Sequence, residues 1–187
     1  MLAAMLPLSA ATGGAPKGKA VGNPAAPILI EVYSDFECPA CRQWHLQLLP
    51  LLMRDYVNAG KAYIVFHDIS NHPHSNEATG YALAAASVGK YSDVADALYE
   101  HQTEWAANGK VWQTVAVALN PAEQKKVAAL AKEPSVVAEV TAETDFGRTK
   151  AQKTPTMIVI NKMKQYKFEG TPNYSLLSGF FNDLLAK

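Results

Sequence analysis

The chain has only two cysteines, Cys38 and Cys41, and they stand close together in the stretch SDFECPACRQWH (residues 34–45). A bridge between them closes so small a loop that it would stabilise the fold by only about 2 kcal/mol. The spacing suits instead a bond made and broken repeatedly, because the second thiol is at hand to displace whatever the first has captured. Such exchange needs a thiolate, and an ordinary cysteine, with a pKa near 8.5, is mostly protonated at neutral pH.

Position can change that. The run ILIEVYSDF before the pair is β-branched and aromatic, the pattern of a strand covered on both faces, and RQWHLQLLPLLMRDYV after it changes to helical spacing. A helix that begins at the Cys-Pro-Ala-Cys turn makes Cys38 its N-cap and puts Pro39 at the first helical position, where a missing N–H costs nothing. The free N–H groups of Ala40, Cys41 and Arg42 then point towards the Cys38 sulfur, and the helix dipole favours negative charge there. Cys38 is therefore expected to be the acidic, exposed nucleophile, and Cys41, one turn inward, the shielded resolving thiol.

Other readings compete for nearby residues. His72 and His74, in NHPHSN, offer a Cys2His2 zinc set with the cysteines, although their separation departs from zinc-finger spacing and such a polar turn is commonly just solvated. Glu37 reads equally as a proton relay beside the thiol or as an exposed loop acid. His45 is expected to be a partly exposed helix residue pointing away from the thiols. Trp44, Trp105 and Trp112 sit among apolar neighbours at helical spacing and are assigned to the core.

The elements that must position the pair follow from periodicity. Residues 12–27 are rich in Gly, Pro and Ala and read as a flexible lead-in, with the fold starting after Pro27. In the first helix Trp44, Leu48, Leu52 and Tyr56 recur every four residues, and Pro50 is expected to kink or divide it. KAYIVFHDIS is a second strand, so strand, helix and strand form a βαβ unit with a parallel pair. From Glu77 to about Arg148 the pattern is helical. Asn120-Pro121 with Glu123 marks one helix start, and another helix is predicted from Ser135 to about Phe146. TPTMIVI and QYKFEG, joined by NKMK, read as a hairpin, and Thr171-Pro172 opens a last helix with an apolar stripe through Leu176, Leu177, Phe180, Phe181, Leu184 and Leu185.

With 187 residues, 49% hydrophobic side chains and zero formal net charge, the chain is a soluble globular domain without the basic field that nucleic acid or anionic lipid demands. Its first twelve residues, MLAAMLPLSAAT, are uncharged and end in small side chains, like the tail of a signal peptide, though without the basic start of a complete one. No stretch approaches the roughly 20 apolar residues of a membrane span.

FECPAC after a strand, a helical block following the second strand, and Thr154-Pro155 ahead of a hairpin together resemble the DsbA-like branch of the thioredoxin superfamily. The resemblance covers about residues 21–187. It implies an α/β thioredoxin fold, a mixed central sheet flanked by helices, with an inserted helical subdomain. Residues 1–26 become signal remnant and lead-in, 27–76 and 149–187 the two parts of the thioredoxin-like domain, and 77–148 the insertion. It also implies a cis Pro155 facing the cysteines, with Thr154 offering backbone hydrogen bonds to an extended client segment.

The implied activity is thiol:disulfide exchange outside the cytoplasm, in the periplasm or an equivalent compartment, as a dithiol oxidase in protein disulfide formation. Its only redox group is the Cys38–Cys41 disulfide, with no cofactor and no metal. The implied partners are cysteine-containing clients and a membrane partner, quinone-linked for an oxidase or an electron donor for a reductase; the chain is expected to be a monomer. Two alternatives stand beside it: a reductase or isomerase of the same fold, and a non-catalytic zinc-binding or chaperone module. Ala40 occupies the position where the strongest oxidants carry histidine, and Asp35 and Glu37 would oppose a nearby thiolate. A Cys38 less acidic, and a disulfide less oxidising, than in C-P-H-C enzymes is therefore expected. Threonine before Pro155 is shared by many reductases and isomerases, which leaves the direction of electron flow open.

Overall fold

The computed structural model describes residues 18–186, so the signal-like residues 1–12 lie outside the described part. Five strands, β1 (Ala20–Gly22), β2 (Ile28–Ser34), β3 (Ala62–Asp68), β4 (Thr156–Asn161) and β5 (Lys164–Glu169), form one sheet in the order β1-β3-β2-β4-β5. Only β2 and β3 run parallel, in the register Ile30↔Ile64 and Val32↔Phe66; the other neighbours are antiparallel. This is the expected mixed sheet, a βαβ unit extended by a hairpin. At the hairpin tip Lys162 and Met163 both have positive φ, 46° and 60°, the backbone of a two-residue turn that matches strand twist.

Register decides which side chains form the core. Ile30, Val32, Ile64, Phe66, Met157 and Val159 share one face of the sheet and are buried. That face packs against the helical segment that follows the cysteines and against the last helix, where Tyr56 meets Phe181 edge-on at 5.0 Å. Full burial of each such side chain stabilises by roughly 1.5–3 kcal/mol. The opposite face is covered towards the cysteine end, where Tyr33, Ile69, Ala151 and Ile158 pack with Phe146, and Val65 is buried farther along β3. Leu29 and Glu31 remain half-buried, so β2 is not covered on both faces along its length; Glu31 is the polar side chain that marks the open part.

The segment after the cysteines runs as α1 (Pro39–Gln43), a π-helical turn (Trp44–Leu48), α2 (Leu49–Leu52) and a second π turn (Met53–Val57). Pro50 therefore neither divides nor ends it. The N–H of Leu49 bonds to the carbonyl of Trp44, five residues back, and this widened turn makes room for the proline ring that follows.

The helical block comprises α3 (Ser75–Ala86), α4 (Tyr91–Glu100), α5 (Gln102–Asn108), α6 (Val111–Val117), α7 (Pro121–Leu130) and α8 (Pro134–Lys150); α9 (Tyr174–Leu185) closes the fold. Asn120 caps α7 as expected, its side chain accepting from Ala122 and Glu123 while Glu123 accepts from the Asn120 N–H. Helix α8 runs past Phe146 to Lys150. Gly147 lets it lie close to the sheet, because a Cβ there would stand 2.6 Å from Ile69 Cγ1. Trp44 and Trp105 are buried, and Trp112 is half-buried against Tyr81.

The lead-in requires a correction. Residues 20–22 are strand, not flexible entry, and Lys19 is fully buried with Nζ 2.6 Å from Asp68 and 2.5 Å from Glu143. Its carbonyl accepts from the Phe66 N–H at 2.9 Å. Asp68 and Glu143 raise the Lys19 pKa against the opposing effect of burial, which keeps the ammonium charged. Gly22 has φ +99° and a Cβ there would stand 2.7 Å from the Ala62 carbonyl oxygen, so a glycine that reads as linker serves close edge pairing. Among the described residues no helix is long and apolar enough to cross a membrane.

Candidate active site

The site lies where β2 ends, α1 begins and the loop before β4 returns. Asp35 turns the chain: its carbonyl accepts from the Cys38 N–H at 3.1 Å, and Cys38, with φ −78° and ψ 121°, is the N-cap of α1 with Pro39 in the first turn. Arg42 does not aim its N–H at the sulfur. It donates instead to the Cys38 carbonyl at 3.1 Å, the first bond of the helix. Both cysteines are in the free form. Cys41 is 0% exposed and Cys38 only 8%, so Cys38 is reached through a narrow opening rather than displayed on the surface.

Part of that cover is Thr154. The Thr154–Pro155 bond is cis, and the Thr154 carbonyl oxygen lies 3.4 Å from the Cys38 sulfur, from which it accepts when the thiol is protonated. The loop is fixed by the Gly170 N–H, which donates to the Pro155 carbonyl at 2.7 Å, and Thr171 donates from the next turn to the Ala40 carbonyl at 3.4 Å. Residues 116 positions apart in sequence thus meet at one sulfur.

The two thiols differ sharply. A hydrogen bond from Cys41, followed by the Thr154 hydroxyl and the N–H groups of Cys41 and Ala40, favours the Cys38 thiolate and outweighs burial, holding its pKa down to about 5. The two N–H groups act as part of the helix N-terminus, since neither makes a well-formed capping bond to the sulfur. Burial pushes the Cys41 thiol far up, and the neighbouring Cys38 adds to the rise. One thiol is an anion at neutral pH and its neighbour holds its proton.

Asp35 and Glu37 do not face the sulfur as opposing charges. The Asp35 carboxylate is buried and accepts from the Glu37 N–H (2.8 Å), the Asn71 N–H (2.8 Å), Ser75 Oγ (2.6 Å) and His72 Nδ1 (2.8 Å). Glu37 accepts from the His74 N–H at 2.7 Å. The two acids tie the cysteine loop to the turn before α3. His72 is engaged by Asp35, which raises its pKa although burial works the other way. Among the described residues no three His, Cys, Asp or Glu side chains group closely enough to hold a metal ion, so the Cys2His2 set is not assembled.

His45 also differs from expectation: it is buried, bonded to Asp96 at 2.7 Å and stacked on Tyr99 at 4.4 Å between ring centres. The residue sequence reasoning missed is Gln102. At the start of α5, 4% exposed, it donates its amide to the carbonyls of Phe36 (2.6 Å) and Cys38 (3.0 Å), bracketing the cysteine turn from the insertion. Arg42 donates to the Tyr99 carbonyl at 2.9 Å and binds the same two parts together. A glutamine in a helical pattern has no local signature for such a role.

Comparison with known proteins gives a consistent picture. A family model described as thioredoxin matches residues 15–182. The "Probable disulfide bond formation protein D" of Bacillus anthracis is 28% identical over 110 residues, 57% of this chain and 49% of that protein. The chain thus spans about half the length of that curated relative. Among solved structures, Wolbachia pipientis alpha-DsbA1 superposes with a TM-score of 0.77 at 17% identity, covering 90% of this chain and 91% of the other. Oxidised BdbD from Bacillus subtilis gives 0.74 at 17% identity, covering 91% and 94%. These two structures share the fold, helical insertion included.

Proposed function

The chain belongs to the thioredoxin family, and from that premise we propose that it is a thiol:disulfide oxidoreductase working through Cys38 and Cys41. One observation carries the reading. Two adjacent thiols at a helix N-terminus have opposite acidities, Cys38 an anion and Cys41 protonated, beside the Thr154–Pro155 loop. A staple needs no such asymmetry, whereas exchange needs one sulfur that attacks or is attacked and another held in reserve.

In the oxidising direction a client thiolate attacks Cys38 Sγ of the Cys38–Cys41 disulfide. A client–Cys38 bond forms, the Cys38–Cys41 bond breaks, and its electron pair goes to Cys41 Sγ. A second client thiolate then attacks the client sulfur, forming the client disulfide and releasing Cys38 as the stable thiolate. The acidity of Cys38 makes it a good leaving group in this last step, and the disulfide-forming relatives point the same way. Thr154 and Pro155 shape the client groove, with Glu37, Pro39 and Ala40 at its rim. The redox group is the cysteine pair itself, without a cofactor. We further assign the protein to an extracytoplasmic compartment, as a monomer that a quinone-linked membrane partner reoxidises.

Equilibration in glutathione buffers tests the couple, and a Cys41→Ala variant tests client capture. A reversible dithiol–disulfide couple and mixed disulfides on Cys38 are the expected results. Absence of both removes the catalytic reading. Pro155→Ala is expected to weaken client trapping, and unchanged trapping would reject the assigned groove.

A further inference from the structure

The mechanism above leaves an electron pair on Cys41, a sulfur that is 0% exposed. A buried anion without a partner is costly, so the rate at which the disulfide opens depends on what meets that sulfur as it leaves. Both cysteines are in the free form, which shows the place Cys41 Sγ takes once its bond to Cys38 is open. Among the described residues one hydrogen bond is donated to it there: that of the Asp35 N–H, at 3.4 Å.

The peptide that carries this N–H is pinned on both sides. A peptide unit is planar, with its C=O and N–H at opposite ends. The C=O end, on Ser34, accepts from the Ile69 N–H at 2.7 Å, and the N–H end faces the sulfur. Ile69 thereby polarises the unit and strengthens the donor, an effect of roughly 10–30% along a hydrogen-bonded chain. Beyond it, the carbonyl of Asp35 accepts from the Cys38 N–H at 3.1 Å. The Asp35 carboxylate, 0% exposed, accepts from the Glu37 and Asn71 N–H groups, from Ser75 Oγ and from His72 Nδ1, at 2.6 to 2.8 Å. These donors fill its acceptor sites. Residue 35 therefore cannot turn its N–H away without breaking bonds to the cysteine turn, to the exit of β3 and to the turn before α3.

We propose that the Asp35 peptide is a thiolate hole for the exchange reaction: its N–H holds the Cys41 sulfur as that sulfur leaves, and the Asp35 carboxylate keeps the N–H aimed. A client thiolate gains the new bond to Cys38 Sγ, the Cys38–Cys41 bond breaks, and its electron pair passes to Cys41 Sγ under the Asp35 N–H. The amide keeps its proton. Cys41 afterwards takes up one of the two client protons, and the other goes to solvent because Cys38 remains ionised. In the reverse direction the same N–H favours the thiolate with which Cys41 attacks a mixed disulfide. The Asp35 N–H, which touches a reacting sulfur, is catalytic in this scheme. The Asp35 carboxylate and the Ile69 N–H are positioning groups acting through it. The inference rests on the exchange reaction proposed above. A donor that acts on the transient anion, more than on the disulfide or the thiol, leaves a kinetic signature.

The test uses the full chain and glutathione as probe. Wild-type protein is measured first; if its cysteines form no reversible disulfide, the functional reading fails and takes this inference with it. Given a working wild type, an ester in place of the amide at residue 35, with malic acid standing for aspartate, deletes the N–H and keeps the carboxylate. Opening of the disulfide by glutathione and closing of the Cys38–glutathione mixed disulfide are each expected to slow about tenfold, the scale of one lost hydrogen bond to a charged group. Because both directions slow alike, the equilibrium constant with glutathione should hold, as should the pH midpoint of Cys38 alkylation by iodoacetamide. Asp35→Asn offers one acceptor oxygen where the carboxylate has two, so the N–H is less well aimed and opening should slow about threefold. An aspartate acting only through its charge gives the opposite sign, since neutralising it eases the departure of a thiolate. Unchanged rates in the folded ester chain would overturn the inference while leaving the exchange reaction intact. So would faster opening in Asp35→Asn, or an equilibrium constant in the ester chain that moves as far as the rate. If the ester chain does not fold, Asp35→Asn decides: slower opening with Cys38 alkylation no slower upholds the proposal, and any other result overturns it.

Discussion

The acidity of Cys38 can be followed from structure to redox potential. A thiol with a pKa of about 5 is almost wholly ionised at pH 7, whereas an ordinary cysteine near 8.5 is only about 3% ionised. The difference stabilises the reduced form at pH 7 by about 2 to 3 kcal/mol, the lower end allowing for screening at the open side. At about 1.4 kcal/mol per 30 mV this raises the potential by roughly 50 mV over an unperturbed couple. Interpolating between thioredoxin, near −270 mV with a thiol of pKa about 7, and the strongest oxidants, near −120 mV with about 3.5, puts this couple at about −185 mV. The sign with pH follows from the downward shift. Stabilisation of the reduced protein is complete above about pH 8.5, the unfolded value, and is lost as pH falls through about 5. Thiolate absorbance of the reduced protein against pH, with Cys38→Ser as blank, gives the midpoint, and glutathione equilibration gives the potential. Thr154→Val, which removes a hydroxyl that favours the thiolate, is expected to raise the midpoint by about one unit, while Ala40→His should lower it. A wild-type midpoint at or above 7, or a potential as high as −120 mV or as low as −270 mV, would refute the reasoning.

Three further expectations concern the supports of the site. Gln102→Ala removes the amide that serves the Phe36 and Cys38 carbonyls; urea unfolding should show a loss of about 1–3 kcal/mol, with slower thiol exchange. Lys19→Met leaves Asp68 and Glu143 buried without their cation and should cost about 3–5 kcal/mol in the same assay, whereas a loose lead-in would tolerate it freely. Burial, with Lys19 and Lys150 adding to it, holds His67 down to about 4, so stability that is complete above about pH 6.5 should decline as pH falls through 4. His67→Phe, which preserves stacking on Tyr33, should flatten that acid limb in pH-dependent thermal melts.

Much of this was legible in the residues themselves. The β-to-helix change of period around Cys38, the Asn120-Pro121 cap and the short polar NKMK turn are local signals, and the chain obeys them. Local signals fail where long-range partners decide. The strand at Ala20–Gly22 is too short to show a period, and Lys19 is held by carboxylates 49 and 124 positions away in the chain. Pro50 carries the general expectation of a kink, but the π turn that absorbs it depends on packing of the whole segment. Asp35 and Glu37 were legible as acids beside a thiol. That they point to the turn before α3 depends on β3 delivering that turn to the same place. The meeting of Cys38 with Thr154 was implied by the family resemblance alone, since nothing local to either segment connects them.

The bonds from Gln102 and Arg42 have a consequence for motion. The cysteine turn belongs to the first part of the thioredoxin-like fold, yet its carbonyls are gripped by the start of α5 and its helix is tied to the end of α4. The insertion is therefore more than a roof over the site. Any excursion that lifts α4 and α5 releases the turn, and the distances that make one sulfur acidic and the other reluctant lapse with it. Thiol acidity becomes a gauge of docking: a protein whose insertion has loosened, by heat, denaturant or a distant mutation, should lose its exchange chemistry before its sheet unfolds.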